Sequence, residues 1–295
     1  MTWASQAYDP GSNPGCRIMV KAYAPSHITG FFEVVEDSDP ALMGSRGCGI
    51  TLEDGCVTEV TLSQDNHIFI NGELADAPTT AYVVRNMASK PVEVSSSFDA
   101  PLGSGFGASG AGALSTVYAL NELFTIGLNK NEAGRVAHLA EVEKKTGLGD
   151  VIAQVQGGVV IRMEPGAPGN GLTDKISAGG IEVGYVVLGS ISTKSILGDP
   201  DILRCINKHG KTTLQELIKH PTLDDFMRLS KRFATETGLI SEKARDAVEA
   251  VESNGGLASM AMLGDTVFAT GNFDALSEFG DLMVSKISLS GAKLL

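Results

Sequence analysis

The residues best placed to do chemistry lie between Asp99 and Gly112, in the run Asp-Ala-Pro-Leu-Gly-Ser-Gly-Phe-Gly-Ala-Ser-Gly-Ala-Gly. Gly105, Gly107 and Gly110 satisfy G-x-G-x-x-G, but a dinucleotide site needs strand, turn, helix and a second parallel strand ending in an acid. Here helix follows helix, and the acid near the required distance falls on Asn131-Glu132, at a helix start. Gly210-Lys211-Thr212 imitates the end of a Walker A loop, yet Cys205 stands where that loop requires glycine. What the 99–112 segment does offer is a set of exposed amides running into a helix N-terminus. Orphan N–H groups and the positive end of the helix dipole then face one point, which suits an anion such as a triphosphate. Ser104 and Ser109 add hydroxyls, one of them within reach of a magnesium ion beside the phosphates, since Mg²⁺ takes oxygen ligands and shares them with the nucleotide.

A second group of polar residues lies nearer the N-terminus. Arg46, flanked by Ser45 and Gly47, is a planar double donor in a glycine-rich turn and suits a carboxylate. Ser26, His27 and Thr29 offer hydroxyl and imidazole donors at the end of a strand. On residue type alone, Asp150 reads as the N-cap of a short apolar helix. Glu141 and Glu143 read as solvated helix charges, Glu143 lying nearer the apolar stripe of Val136, Leu139 and Ala140.

The elements that must position these groups fall into two sets. From Arg17 to Asn71 come short β-rich runs (RIMVKAY, ITGFFEVV, GCGITL, CVTEVTL, HIFIN), bounded by Gly, Pro, Asn and Asp. A short helix around Tyr82–Met87, a strand Pro91–Phe98, a small-residue helix to about Thr125, a helix Asn131–Lys145 and a strand GGVVIRME follow. The Gly/Pro-dense stretch 165–180 predicts a boundary. The expected division is therefore an extension over 1–16, a β-rich nucleotide-binding domain over 17–165 and a C-terminal domain over 166–295. In the latter, strand VGYVVLG, helices Pro221–Gly238 and Ser241–Glu252, strands LASMAML and TVFATG, helix FDALSEFG and strand VSKISL predict a mostly antiparallel α+β sandwich.

Composition supports a folded protein: 43% of the 295 residues are hydrophobic and 20% charged, close to globular averages. With 23 basic against 35 acidic residues the net charge is −12, so no global field attracts nucleic acid or an anionic membrane surface, and an anionic ligand must be held locally. No apolar run reaches ~18 residues, and the first sixteen residues have no signal-peptide pattern. Cys16, Cys48, Cys56 and Cys205 show no CxxC spacing and are expected to be reduced and structural, in a cytoplasmic protein. The five scattered histidines form no metal pair, so no protein-built transition-metal site is expected. Oligomeric state is left open, a homodimer included.

Pro101-Leu-Gly-Ser-Gly-Phe-Gly-Ala-Ser-Gly-Ala resembles the Pro-x3-Gly-Leu-Gly-Ser-Ser-Ala motif of the GHMP small-molecule kinases. Phe106 replaces the usual Leu, Ala108 the first Ser and Gly110 the Ala, while Ser109 matches the second Ser. Thr146-Gly-Leu-Gly-Asp-Val-Ile-Ala-Gln-Val-Gln-Gly-Gly158 resembles the family's glycine-rich turn with an active-site Asp, and Asn254–Gly264 resembles a thinned version of its third motif. Ala22-Tyr-Ala-Pro-Ser-His-Ile-Thr-Gly-Phe-Phe-Glu33 and Gly44-Ser-Arg-Gly-Cys-Gly-Ile50 resemble signature stretches of the archaeal pantoate kinases.

The resemblance, which covers roughly 17–295, implies a two-domain GHMP kinase fold and an ATP- and Mg²⁺-dependent phosphorylation of (R)-pantoate to (R)-4-phosphopantoate in coenzyme A biosynthesis. It implies that Pro101, Gly103, Ser104, Gly105, Gly107, Ala108, Ser109 and Gly110 hold the ATP phosphates. Ser109 and Glu141, rather than Glu143, would hold the metal, and Asp150 would accept or orient the proton of the attacking hydroxyl. Ser26, His27, Thr29 and Arg46 would then complement pantoate's carboxylate and hydroxyls. The rivals are a kinase for homoserine, mevalonate or shikimate, and a GHMP-fold binding protein without turnover; the presence of Ser109, Glu141 and Asp150 together argues against the latter.

Overall fold

Two unusually long antiparallel strands, β1 (Met19–Val35) and β2 (Gly44–Leu62), carry the architecture. The sequence reading splits each into two short strands, the first around Pro25 and the second around Gly55. The computed structural model, which describes residues 18–189, 196 and 198–295, keeps them continuous. The register instead slips at Pro25/Ser26 and between Thr29 and Phe31, two bulges that absorb the proline and leave Gly30 without a cross-strand partner. The extension expected over 1–16, with Cys16, lies outside the described residues.

Around this pair the first sheet adds β3 (His67–Ile70), β4 (Glu73–Leu74) and β5 (Val92–Phe98) on one side and the short β12 (Lys293–Leu294) on the other. β6 (Val159–Arg162) pairs with the glycine-rich start of β2, and β7 (Thr173–Ile176) pairs with β6. β7 therefore lies beyond the expected cut after 165 yet belongs to the first sheet. Helices α1 (Pro78–Met87), α2 (Ala108–Leu123), α3 (Lys130–Lys144) and α4 (Asp150–Gln156) belong to this half. α2 is buried on nearly every side, and its run of Gly, Ala and Ser lets it lie directly on β1 and β2. A Cβ at Gly112 would already press on the Phe98 ring at 3.1 Å.

The second sheet is antiparallel, in the order β11 (Met283–Lys286), β8 (Glu182–Gly189), β10 (Asp265–Thr270), β9 (Leu257–Met260). Three helices go with it: α5 (Pro200–Leu217), α6 (Leu223–Glu236) and α7 (Glu242–Ser253). The predicted helix FDALSEFG is a single 3-10 segment, Asp274–Glu278. α5 has no counterpart in the sequence reading, although Asp199 caps it through the amides of Asp201 and Ile202, and Pro200 takes the first turn. Gly210 in its middle permits the packing: a Cβ there would stand 2.0 Å from the Phe32 carbonyl oxygen, so helix backbone rests on strand backbone.

The long strands pass through two cores. Ala22 and Ala24 of β1 pack with Val60, Val94, Leu114 and Leu120, whereas Ile28, Phe31 and Phe32 pack with Phe226 and Phe233 of α6. Phe31 lies with its ring centroid 6.3 Å from both of these phenylalanines. At roughly 1.5–3 kcal/mol for each large side chain buried, these contacts fix the C-terminal half against the strands that carry the site. No helix among the described residues is long and apolar enough to cross a membrane.

Candidate active site

The glycine loop enters α2 without a conventional cap. Gly107 is the N-cap in a left-handed conformation (φ 60°) and no side chain bonds to the first turn, so the amides of Ala108, Ser109 and Gly110 are left for a ligand. The loop is fastened from behind. Phe106 is buried with its ring centroid 4.8 Å from that of Tyr185 on β8, and the Ser104 carbonyl accepts Thr266 Oγ1 at 2.8 Å. Ser104 Oγ donates to the Pro101 carbonyl, so this hydroxyl holds the loop and is not directed at a metal. Gly264, at the end of the thinned third motif, would place a Cβ 2.2 Å from the Ser104 oxygen, so close approach of the two loops requires glycine there.

A cleft of about 480 Å³ opens in front of the loop. Its wall includes Gly105, Ala108, Ser109, Asp150, Arg162 and Thr29, with apolar Ile70, Phe98 and Leu102 along another stretch. Asp150 is the first residue of α4, whose N-cap is Gly149 and has no side-chain cap bond. The capping role read from residue type is thus replaced: Asp150 Oδ1 lies 2.7 Å from Nδ1 of His27. His27 Nε2 lies in turn 3.4 Å from Nη1 of Arg162, on β6. Burial pulls the Arg162 guanidinium below its ordinary value and the Asp150 carboxylate pushes it back up.

Glu141 of α3 is 1% exposed, while Glu143 lies on the exposed side of the helix. Glu141 Oε1 accepts Ser109 Oγ at 2.5 Å and Thr146 Oγ1 at 2.8 Å. Its Oε2 has no partner and faces the gap between Gly110 and Gly147, where added Cβ atoms would sit 3.2 and 2.1 Å from it. Burial, helped by the Asp150 charge, pushes the carboxyl up to about 7. An uncompensated buried carboxylate oxygen beside a serine hydroxyl is an all-oxygen donor set, and it fits a hard divalent cation such as Mg²⁺. Three buried side-chain atoms around the cleft lack a hydrogen-bond partner: Glu141 Oε2, Gln154 Oε1 and Arg162 Nε. Concentrated in one place, such atoms mark a site shaped for bound groups.

The structure thus gathers Gly103, Gly105, Gly107, Ala108, Ser109, Glu141, Asp150 and Thr29 at one cleft. Pro101 and Gly110 do not line its wall, Pro101 meeting the loop through the carbonyl that accepts Ser104 Oγ and Gly110 offering its amide alone, and Ser26 is buried outside it. His27 has no exposed surface and stands behind Asp150. Arg46 has another partner: Nε and Nη2 donate to Glu33 at 3.1 and 3.0 Å, across the paired strands. Strand alternation explains this, because Ser45, Phe32 and Val34 point into the cleft and Arg46 and Glu33 to the other face.

The residue the sequence reading missed is Arg162. Its signal was an arginine inside the apolar stretch GGVVIRM, since arginine is almost never fully buried without a purpose.

Residues 76–158, from just before α1 to the turn after α4, match the GHMP kinases N terminal domain. Pantoate kinase of Thermococcus kodakarensis is 38% identical over 268 residues, covering 85% of this chain and 87% of that protein. Pantoate kinase of Methanocaldococcus jannaschii is 39% identical over 265 residues, covering 87% and 94%. A solved structure described as a phosphotransferase related to the CoA biosynthesis pathway superposes with a TM-score of 0.83 at 33% identity, covering 94% of this chain and 99% of that one. With the loop, the buried glutamate and the helix-borne aspartate in place, likeness of this depth along nearly the whole chain makes the protein a member of the pantoate kinase family, within the GHMP kinases.

Proposed function

We propose that this cleft transfers the γ-phosphoryl group of ATP to the primary hydroxyl of (R)-pantoate, giving (R)-4-phosphopantoate for coenzyme A synthesis. The observation that carries the substrate class is Arg162: a fully buried cation in the cleft wall, its Nε unpartnered, near the aspartate that would face the reacting hydroxyl. A buried guanidinium with free donors is suited to the carboxylate of an acid alcohol. This reading moves the acid end of the substrate from Arg46, whose donors are taken by Glu33, to Arg162.

The amides at the start of α2 bind the phosphates, and their dipole offsets charge there. Ser109 and Glu141 would hold Mg²⁺, which when bound neutralises phosphate charge and orients the γ-group. Asp150 orients the hydroxyl and takes its proton as the new O–P bond forms and the bond to the ADP oxygen breaks. Positioning carries most of the rate in such a loose transition state, so the glycine-built close approach of loop, α4 and β10 matters as much as basicity.

The test is ADP release by the purified protein with ATP and Mg²⁺ across (R)-pantoate, homoserine, mevalonate and shikimate. Turnover confined to pantoate is expected; comparable or better turnover with another of these alcohols would overturn the assignment.

A further inference from the structure

His27 has a neighbour on each ring nitrogen and no contact with solvent, and this pairing fixes more than its position. A guanidinium only donates hydrogen bonds, so Nε2, facing Arg162 Nη1, is the acceptor. The ring proton therefore sits on Nδ1 and is donated to Asp150 Oδ1 at 2.7 Å. Burial, and secondarily Arg162, lower the imidazole's proton affinity against the pull of Asp150, in keeping with a neutral donor. The residue is also fastened through its backbone, and its ring needs the room that a glycine leaves. Its backbone N–H bonds to the Phe106 carbonyl of the glycine loop at 3.0 Å, and it occupies space above Gly49, where a Cβ would fall 2.3 Å from Nε2.

We propose that His27 is a positioning residue of the transfer step: by tying down Oδ1 of Asp150 it presents Oδ2 to the acceptor hydroxyl. The inference rests on the reading of Asp150 as the group that receives the hydroxyl proton. Oδ2 lies on the side of Gly147, 3.1 Å from where a Cβ there would be, and Gly147 belongs to the cleft wall. No bond is made or broken at His27; the proton leaving the hydroxyl passes to Oδ2, and the Nδ1–H bond persists on Oδ1. A neutral donor suits this task, because a full positive charge against Oδ1 would drain basicity from the oxygen that must take the proton. The relay also joins two ends of the substrate, since Arg162, which faces its acid group, fixes the imidazole that fixes the base.

The test is steady-state kinetics with pantoate and ATP for His27→Ala, His27→Asn and His27→Gln, with ATP binding measured for each. An Asn amide nitrogen overlays Nδ1 of the imidazole, whereas a Gln amide nitrogen overlays Nε2. His27→Ala is expected to lower kcat about ten- to a hundredfold, the scale of a lost hydrogen bond to a charged group, while both KM values stay within about threefold. His27→Asn is expected to recover most of kcat and His27→Gln not. If His27→Ala fails to fold, the Asn and Gln pair decides by itself. In an Asp150→Asn background, His27→Ala is expected to add little, because the two residues act as one unit.

A rise in pantoate KM at unchanged kcat would make His27 a substrate contact and overturn the proposal. So would equal activity of the Asn and Gln variants, or additive losses in the double variant. Near-normal turnover of Asp150→Asn alone would instead overturn the assignment of Asp150, a separate result from any of these.

Discussion

Replacing Glu141 with Gln should stabilise the metal-free protein while removing its activity, and both effects follow from one buried carboxylate. Gln keeps the carbonyl that accepts Ser109 and Thr146, and removes the charge whose second oxygen has no partner. In the folded protein the carboxyl is raised from the ordinary value near 4.5 to about 7, so the folded state binds the proton more tightly than the unfolded chain does. Below about 4.5 both states are protonated and the group costs nothing. Between 4.5 and about 7 the unfolded chain ionises first and stability falls as pH rises; above about 7 the whole penalty remains.

At ~1.4 kcal/mol per tenfold in proton affinity, that penalty is about 3–4 kcal/mol. Glu141→Gln should therefore raise the melting temperature at pH 8, with chelator present, by roughly 5 °C or more, with the gap closing towards pH 5. Adding Mg²⁺ and nucleotide should stabilise the parent protein and do much less for the variant, whose turnover should fall at least ~100-fold. Scanning calorimetry or fluorimetry between pH 5 and 8, with and without Mg²⁺–ADP, reads the first effects, and ADP release the last. A variant less stable than its parent at pH 8, or with the same pH profile, would refute the argument; so would loss of activity in Glu143→Gln, at an exposed position on the same helix.

Arg162→Met should raise the pantoate KM by about ten- to a hundredfold, with a smaller fall in kcat through His27 and little change in the KM for ATP. Arg46→Ala should leave the pantoate KM within about threefold and cost about 1–3 kcal/mol of stability, because Glu33 loses its partner; the opposite pattern would return the carboxylate to Arg46. Gly210→Ala should lower stability by at least ~1–3 kcal/mol despite the better helix propensity of Ala, since its Cβ meets the Phe32 carbonyl rather than a movable side chain. Urea unfolding checks it, and an unchanged midpoint would show that α5 can retreat from β1.

Much of the site was legible because its parts are local in sequence. The glycines before α2, Ser109 and Asp150 each sit in a short motif whose geometry follows from glycine's backbone freedom and the helix N-terminus. Glu141 shows where periodicity misled. The buried face of α3 is Ala133, Gly134, Ala137, His138, Ala140 and Glu141, mostly small, whereas Val136 and Leu139 are only partly buried. A helix packed this closely buries its small residues, and a stripe drawn through the large ones points away from them. Arg162 and the His27 contact were not legible, because they depend on β6 joining the start of β2 more than a hundred residues away. The length of β1 and β2 was hidden for a related reason: proline and glycine end strands in isolation, but a bulge lets tertiary pairing continue through them.

The most direct test of the account is the structure of the protein with (R)-pantoate, Mg²⁺ and a non-hydrolysable ATP analogue. The pantoate carboxylate should lie on Arg162 and its primary hydroxyl within ~3 Å of Asp150 Oδ2, with the terminal phosphate on the amides at the start of α2. A carboxylate seated elsewhere with Arg162 still unpartnered, or a primary hydroxyl turned away from Asp150, would contradict it.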